Sequence, residues 1–238
     1  MNRRSWRTFT RDVLRSRGYD LNRFSRMQIL RDSRIDLILD VGANTGQFAT
    51  QSRRLGFGGH IISFEPLDMA LPELRARADG DDRWEVRPWA LGDSDGHTTI
   101  NVSRNLVSSS VLDIRSSLTD VDPGSAFQSQ QVVVIRRLDS VFDDLVPPGA
   151  RVLLKVDTQG YERQVFAGAQ RVLPRINALH FEVSLVELYK GEMLIGEAIE
   201  MLERNGYQLA NVEPSLPDPV TGQLLQVDLT ATRWGPET

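Results

Sequence analysis

Residues 36–48 read Asp-Leu-Ile-Leu-Asp-Val-Gly-Ala-Asn-Thr-Gly-Gln-Phe, and this stretch decides the fold. The apolar run that opens it is too short for a helix and is typical of a buried parallel strand. Gly42 and Gly46 frame a polar turn, and Phe48 begins an apolar pattern with helical spacing. A helix start offers free backbone N–H groups, and glycines let a ligand approach the backbone closely. The stretch therefore predicts a nucleotide-type binding site.

The residues around this turn indicate which nucleotide is bound. Asn44 stands where a dinucleotide fingerprint has its second glycine, and no Walker lysine follows. Asp40 would repel a phosphate but suits an ammonium group, such as the amino-acid end of S-adenosylmethionine. Glu65 ends the second predicted strand, 19 residues beyond Gly46, where an acid can accept hydrogen bonds from ribose hydroxyls. S-adenosylmethionine is the predicted cofactor, with NAD as the alternative.

Composition limits the class of protein. A chain of 238 residues is long enough for one α/β domain with a full core. The absence of cysteine excludes disulfides and thiolate metal ligands, and three scattered histidines do not suggest a zinc site. No apolar run has the length of a membrane span, and no signal-peptide core follows the first residues. These features favour a cytoplasmic enzyme.

Charge is concentrated at the start of the chain. Residues 1–26 carry eight arginines and two aspartates, a balance of +6 in a chain whose net charge is −4. Together with Trp6, Phe9 and Val13, this segment suits peripheral contact with anionic lipid at the inner face of a membrane. It equally suits a helix folded onto the domain with its arginines solvated. Nucleic-acid binding is not expected, because the rest of the chain is acidic. We divide the chain into a basic helical arm at 1–35 and a catalytic domain at 36–238, and the sequence leaves the oligomeric state open.

The middle of the chain contributes two further features. Trp89 and Ala90 lie in a turn after the third predicted strand, on the sheet edge of Gly42 and Glu65, and are expected to border the adenine ring. From about 96 to 139 the alternation changes to that of exposed antiparallel strands around a polar loop. Such a loop is an ordinary connection or a surface that hydrogen-bonds a polyhydroxylated acceptor. The candidate substrate-binding residues in it are Asn105, Ser108, Ser109 and Ser110.

The second half of the chain predicts more strands of the same sheet. Asp157 ends a strand at 151–157, at the edge where open α/β sheets bind ligands, and Lys155 shares its face. His180 and Glu182 share one face of a strand at 176–184. Two last strands, at 207–212 and 224–231, are separated by a proline-rich loop at 214–222. This hairpin fits a methyltransferase sheet with one antiparallel strand better than an NAD domain.

Several motifs together resemble the FkbM family of methyltransferases. They are Asp40–Phe48, Phe64–Pro66, Ala90–Asp93, Arg137–Ser140, Lys155–Glu162 and Phe181–Val183. The resemblance implies a Rossmann-like class I methyltransferase fold: α/β, with a seven-stranded, mostly parallel sheet, an antiparallel strand near the C-terminus and an inserted β-hairpin. It also implies methyl transfer from S-adenosylmethionine to an oxygen. Members act on hydroxyls of polyketides and of sugars, including deoxysugars of bacterial glycolipids and glycopeptidolipids. Gln159 departs from the family pattern, in which many members carry an acid.

The chemistry needs an aligned hydroxyl and a group that removes its proton. The candidate catalytic residues are Asp157, Glu182, His180 and Glu162, with Asp157 the preferred base and Glu182 the second. Clustered carboxylates would also suit magnesium, which lowers the pKa of a bound hydroxyl, but a metal is not predicted. The predicted cofactor-binding residues are Asp40, Gly42, Asn44, Thr45, Gly46, Phe48, Glu65, Pro66, Trp89, Ala90 and Asp157.

The sequence supports a sugar-hydroxyl O-methyltransferase, acting on a small-molecule or lipid-linked glycan. The alternatives are an O-methyltransferase of a polyketide or macrolide hydroxyl, an NAD-linked oxidoreductase, and an inactive binding module that keeps the fold.

Overall fold

The computed structural model describes residues 26–233, so all of the arginine-rich segment except Arg26 lies outside the described residues. The helices are α1 (Arg26–Asp32), α2 (Gln47–Arg54), α3 (Leu71–Ala78), α4 (Ser116–Thr119), α5 (Leu138–Leu145), α6 (Glu162–Ala167) and α7 (Ile195–Arg204). The strands are β1 (Leu37–Val41), β2 (His60–Phe64), β3 (Trp84–Arg87), β4 (Ala90–Leu91), β5 (Gly96–Ser103), β6 (Phe127–Arg136), β7 (Val152–Val156), β8 (Ala178–Ser184), β9 (Gln208–Pro217) and β10 (Leu224–Thr232).

Seven strands form the main sheet, in the order β3-β2-β1-β7-β8-β10-β9. Five neighbouring strands of this sheet, β3, β2, β1, β7 and β8, run parallel to one another. Strand β10 runs antiparallel to both of its neighbours, β8 and β9. The order reverses between β1 and β7, and ligands of doubly wound sheets bind at the carboxyl edge of such a switch point. The predicted sheet, mostly parallel with an antiparallel strand near the C-terminus, is confirmed.

The sheet is buried on both faces because alternate residues of each strand enter different hydrophobic clusters. In β1, Leu37, Leu39 and Val41 belong to the larger cluster, which also contains residues of α5, α6 and α7. Ile38 belongs to a second cluster with residues of α2 and α3. Asp40 shares the Ile38 face and is fully buried. This burial governs its role in the site.

The region predicted as an insertion forms a separate three-stranded sheet, in the order β4-β6-β5. β5 and β6 pair antiparallel, as expected, while β4 adds a short parallel pairing that was not foreseen. Ile100, Val102 and Val133 of this sheet pack with Leu67 and Ala70, which follow β2. The insertion is thereby fixed beside the carboxyl edge of the main sheet.

The structure corrects one predicted strand boundary and shows contacts at the end of the predicted arm. The strand predicted at 207–212 continues as β9 to Pro217, so the proline-rich connection is shorter than expected. Prolines are tolerated there because β9 is an edge strand, paired on one side to β10 through an irregular register. The described end of the predicted arm contacts the domain: Leu30 is buried in the cluster of Ile38, and Arg151 donates to the carbonyl of Ser33.

Within residues 26–233, none of the helices is both long enough and apolar enough to cross a membrane.

Candidate active site

The turn between β1 and α2 brings backbone against backbone. Gly42 has φ +72°, and a Cβ atom there would lie 1.8 Å from the carbonyl oxygen of Asp157. Gly46 has φ +86° and precedes α2, while Asn44 has φ +47°. Only a residue without a side chain fits at Gly42, because its φ and its contact both exclude a Cβ. The turn therefore lies directly on the end of β7.

Glu65 closes this site from the end of β2. Its Oε2 accepts a hydrogen bond of 2.7 Å from the Asn44 N–H, and its Oε1 accepts one of 2.8 Å from the Leu67 N–H. Burial raises the pKa of Glu65 to about 7, against the opposing effect of these two N–H donors. A carboxylate oxygen has a second lone pair, so both oxygens still accept from a ligand hydroxyl.

A row of buried polar side chains crosses the sheet beneath the site. It consists of Ser63, Asp40, Lys155, His180 and Thr230, which are register neighbours on five adjacent strands. Ser63 donates to Asp40 at 3.0 Å, and the Lys155 ammonium lies 3.1 Å from the other Asp40 oxygen. His180 Nδ1 lies 3.0 Å from the Thr230 hydroxyl. We call these five residues the polar row.

The polar row corrects the role expected for Asp40. Its carboxylate is fully buried and does not line the cavity, because Lys155 and Ser63 lie against it. Lys155 also donates to the carbonyl oxygens of Val41 and Gly42, at 3.2 and 2.9 Å. Asp40 thus acts on the glycine turn through Lys155 and is not placed to touch the amino group of a ligand.

A cavity of about 620 Å³ opens at this edge of the sheet, between the glycine turn, the end of β7 and the insertion. Ligand pockets in proteins commonly measure about 300–1,000 Å³. Predicted cofactor residues that line it are Gly42, Asn44, Phe48, Glu65, Pro66, Ala90 and Asp157. Thr45, Gly46 and Trp89 do not line it. Gly46 lies against Leu74 and Trp84, and Trp89 packs edge-on against Phe64. The cofactor contacts expected for these three residues stay predictions.

Asp157 and Glu182, two of the four candidate catalytic residues, have different surroundings. Asp157 lines the cavity with its side chain 39% exposed, and one carboxylate oxygen lies 3.6 Å from Lys155. Glu182 also lines the cavity, but burial and the nearby Asp157 charge raise its pKa to about 8. Glu182 therefore holds its proton more tightly than an ordinary glutamate does.

The other two candidates lie in different positions. His180 lines the cavity, and its ring lies 5.6 Å from that of Phe48, centroid to centroid. Glu162 is buried outside the cavity, where it accepts hydrogen bonds of 2.8 and 3.1 Å from the N–H and hydroxyl of Thr158. Burial raises the pKa of Glu162 to about 7. The expectation that Glu162 acts as a base is corrected, because its carboxyl group accepts hydrogen bonds from Thr158 and so stabilises the turn after β7.

The serine-rich loop of the insertion mostly satisfies its own backbone and side chains. Asn105 contacts Ser103, Ser108 and Asp122, and neither Asn105 nor Ser108 lines the cavity. Hydroxyl-rich loops commonly hydrogen-bond internally in this way. Ser109 and Ser110 do line the cavity, so two of the four predicted substrate residues reach the site and the other two shape the loop.

The sequence did not reveal the residues that hydrogen-bond to the carboxyl groups of Asp157 and Glu182. Gln159 donates to Asp157 at 2.7 Å and to Glu182 at 3.1 Å, and Tyr189 donates to Gln159 at 2.9 Å. Ser215 and Gln226 donate to Glu182 at 2.5 and 3.0 Å. These contacts join positions 23–44 residues apart, apart from the Gln159–Asp157 pair, so no local pattern reveals them. The departure from the family motif at Gln159 was the one available signal.

The residues present fit S-adenosylmethionine. Gly42 and Asn44 of the glycine turn line the cavity, as does Glu65 at the end of β2, where doubly wound folds place the acid that accepts from a ribose. The cavity volume is within the range of ligand pockets. Among residues 26–233 there is no cluster of three or more histidine, aspartate or glutamate side chains arranged to hold a metal ion.

This sheet order, with a glycine turn at its switch point and an acid at the end of β2, defines an S-adenosylmethionine-dependent methyltransferase with a Rossmann-like fold. Residues 40–209 match the family model described as "Methyltransferase FkbM domain", and the chain belongs to this family.

Relatives and solved structures are similar to the chain at low identity. The 2-O-methyltransferase NoeI of Sinorhizobium fredii (strain NBRC 101917 / NGR234) is 25% identical over 172 residues, which cover 70% of each chain. An S-adenosylmethionine-dependent methyltransferase from Mesorhizobium loti is 12% identical, with a TM-score of 0.45 over 87% of this chain and 96% of that one. Magnesium protoporphyrin IX methyltransferase (ChlM) from Synechocystis PCC 6803, with bound SAM, is 11% identical, with a TM-score of 0.47 over 95% and 96%.

Proposed function

We propose that the protein transfers a methyl group from S-adenosylmethionine to a hydroxyl oxygen of a sugar, with a deoxysugar of a bacterial cell-envelope glycolipid or glycopeptidolipid as the expected class of acceptor. The observation that carries this proposal is the half-exposed Asp157 carboxylate on the cavity wall next to the glycine turn. The relative described as a 2-O-methyltransferase supports oxygen as the accepting atom.

The reaction assigns distinct tasks to the residues of the cavity. When bound, S-adenosylmethionine supplies a methyl group on a positively charged sulfur, which is a good leaving group. One carbon–oxygen bond forms, one carbon–sulfur bond breaks, and the hydroxyl proton goes to Asp157. The Lys155 ammonium lies 3.6 Å from that carboxylate.

The polar lining of the cavity suits an acceptor with several hydroxyls. Ser109, Ser110, Gln159 and Glu182 provide closely spaced polar atoms, and Phe48 provides an aromatic ring. These polar groups already have partners within the protein, but their remaining lone pairs can accept from the several hydroxyls of a sugar, which a mostly apolar polyketide does not supply. This composition favours the sugar over the polyketide.

The test is methylation of a panel of sugar glycosides, including methyl rhamnosides and methyl fucosides, followed by mass spectrometry. We expect one added methyl group with the wild type and a loss of at least about a hundredfold in kcat with Asp157→Asn. Binding of S-adenosylmethionine, measured by calorimetry, should change little. Asp144→Asn, an exposed position on α5 outside the cavity, serves as the matched control.

Mass spectrometry of envelope glycolipids from cells with and without the gene extends the test to natural acceptors. Methylated product from Asp157→Asn at the wild-type rate would refute the assigned base. Intact cofactor binding without any sugar product, in vitro or in cells, would favour the polyketide acceptor or the inactive binding module.

A further inference from the structure

The side-chain amide of Gln159 lies between the two carboxylates of the cavity. Its nitrogen donates to Asp157 Oδ1 at 2.7 Å and to Glu182 Oε2 at 3.1 Å. A primary amide has two N–H donors on one nitrogen, so each hydrogen serves one carboxylate. The amide therefore holds Asp157, at the end of β7, and Glu182, in β8, in a fixed relation.

Gln159 is itself held by hydrogen bonds to two other residues, Tyr189 and Ser110. Its Oε1 lies 2.9 Å from the hydroxyl of the buried Tyr189, and its backbone carbonyl accepts a hydrogen bond of 2.6 Å from Ser110. Its φ of +55° is uncommon for a residue with a side chain and persists only where the surroundings fix it. Gly160 follows at φ +92°, and a Cβ there would lie 2.8 Å from the Tyr189 side chain. The amide thus has little freedom to turn away from the carboxylates.

Electrostatics opposes ionisation of both carboxyl groups at once, and a hydrogen-bond donor between them reduces this opposition. Asp157 faces Lys155 of the polar row, whereas Glu182 faces Asp157, Asp228 of β10 and Glu162 of α6, all of them acids. Tyr189 contributes a neutral hydroxyl, since burial raises its pKa. Two neighbouring carboxylates repel each other unless a cation, a shared proton or a hydrogen-bond donor lies between them. Gln159 supplies that donor from the chain itself.

We propose that Gln159 is a positioning residue for methyl transfer: its amide fixes Asp157 relative to Glu182 and thereby aims the Asp157 carboxylate at the acceptor hydroxyl. The proposal rests on the proposed function of Asp157 as the base. Through the Ser110 contact, it also joins the serine-rich loop of the insertion to the carboxylates, so that the loop and the base are placed together.

The first experiment compares Gln159→Met with Gln226→Met by steady-state kinetics on a methyl glycoside that the wild type methylates. Both glutamines donate to the same oxygen of Glu182, but the second contact of Gln159 is to Asp157 and that of Gln226 is to Ser184, so Gln226 is the matched control. Methionine keeps the length of the side chain and removes both donors.

For Gln159→Met we expect kcat to fall about tenfold to a hundredfold, with the Kd for S-adenosylhomocysteine within about twofold of the wild type. Loss of the donor disfavours the ionised carboxylates, so the acidic limb of the kcat/KM profile should move up by about one pH unit. Gln226→Met should move it less. A limb that stays in place in Gln159→Met, or that moves equally in the two variants, would overturn the proposal.

A second measurement needs no acceptor and so separates this proposal from the proposed function. The side-chain carboxyl groups, labelled with carbon-13, are titrated by NMR in the complex with S-adenosylhomocysteine and assigned with Asp157→Asn and Glu182→Gln. We expect the titration of the carboxylate pair to move to higher pH in Gln159→Met and, by a smaller amount, in Tyr189→Phe. Unchanged titration in a Gln159→Met protein that melts like the wild type would reject the link between the amide and the carboxylates.

Discussion

Replacing Lys155 with methionine tests the polar row that underlies the cofactor site. The Lys155 ammonium lies 3.1 Å from Asp40 and donates to the carbonyls of Val41 and Gly42. Burial alone would lower the pKa of Lys155, but the Asp40 carboxylate outweighs it and the pKa is raised. The lysine is therefore charged, and it neutralises an acid that has no exposed surface.

The expected loss of stability follows from the carboxylate that remains. In Lys155→Met, Asp40 keeps the hydroxyl of Ser63 but has no cation, inside the sheet. Removing one partner of a buried ion pair costs about 3–5 kcal/mol in the free energy of unfolding. For a chain of this length, each kcal/mol lowers Tm by about 2–4 °C, so we expect a decrease of roughly 6–20 °C.

Denaturation followed by circular dichroism measures this loss, and a double-mutant cycle identifies its source. Replacing both partners, as in Asp40→Leu with Lys155→Met, should recover most of the stability, because no buried charge remains unpaired. Arg204→Met removes the ion pair with Glu200, which is 2.6 Å long and exposed, and should cost less than about 1 kcal/mol.

Two results of these denaturation measurements would contradict a buried ion pair between Asp40 and Lys155. A Lys155→Met protein within about 1 kcal/mol of the wild type would mean that Asp40 is not held by this cation. A double variant as unstable as the single one would place the loss in packing and not in charge. Calorimetry with S-adenosylmethionine on the double variant then reports whether the glycine turn needs the lysine contacts to its carbonyls.

Three further predictions concern single positions. Gly42→Ala should abolish detectable S-adenosylmethionine binding by calorimetry, because its Cβ meets the Asp157 carbonyl, whereas Gly58→Ala, with nothing within 4 Å, should bind normally. Since the pKa of Glu65 is about 7, cofactor affinity should fall below pH 7 by up to about tenfold per unit as this carboxylate takes up a proton, and Glu65→Gln should flatten that dependence. The pKa of Glu162 is about 7 in the folded protein and 4.5 in the unfolded chain. The free energy of unfolding of the wild type therefore decreases as the pH rises from about 4.5 to about 7. Glu162→Gln should be more stable than the wild type by about 3 kcal/mol at pH 9 and equal to it below pH 5, as measured by urea denaturation.

The fold was largely predictable because the sequence patterns that identify its strands and turns are local. The apolar run before Gly42, the glycines around the turn and the alternation in β5 and β6 each identify an element within about ten residues. The end of β9 was predicted too early because Pro214 and Pro217 are typical of loops. Only the position of β9 at the sheet edge, which is a property of the assembled sheet, makes those prolines compatible with a strand.

The site was predictable in part. A residue at the end of a parallel strand or in the glycine turn is brought to the carboxyl edge by topology alone, which is why Glu65 and Asp157 were found and do line the cavity. Topology does not determine where a side chain points or which residue it hydrogen-bonds. Asp40 and Glu162 have the right type and the right location along the chain, yet both are turned into buried hydrogen-bonded positions.

The sequence by itself determined that a parallel sheet forms, that a glycine turn follows its first strand, and that acids stand at the ends of β2 and β7. Hydrophobic periodicity and backbone freedom are encoded in neighbouring residues, so they can be read before the chain folds. The tertiary structure alone decided that Lys155 neutralises Asp40 and that Gln159 joins Asp157 to Glu182. Each of these pairings depends on strand register and on burial, and both arise only when distant segments pack and exclude water.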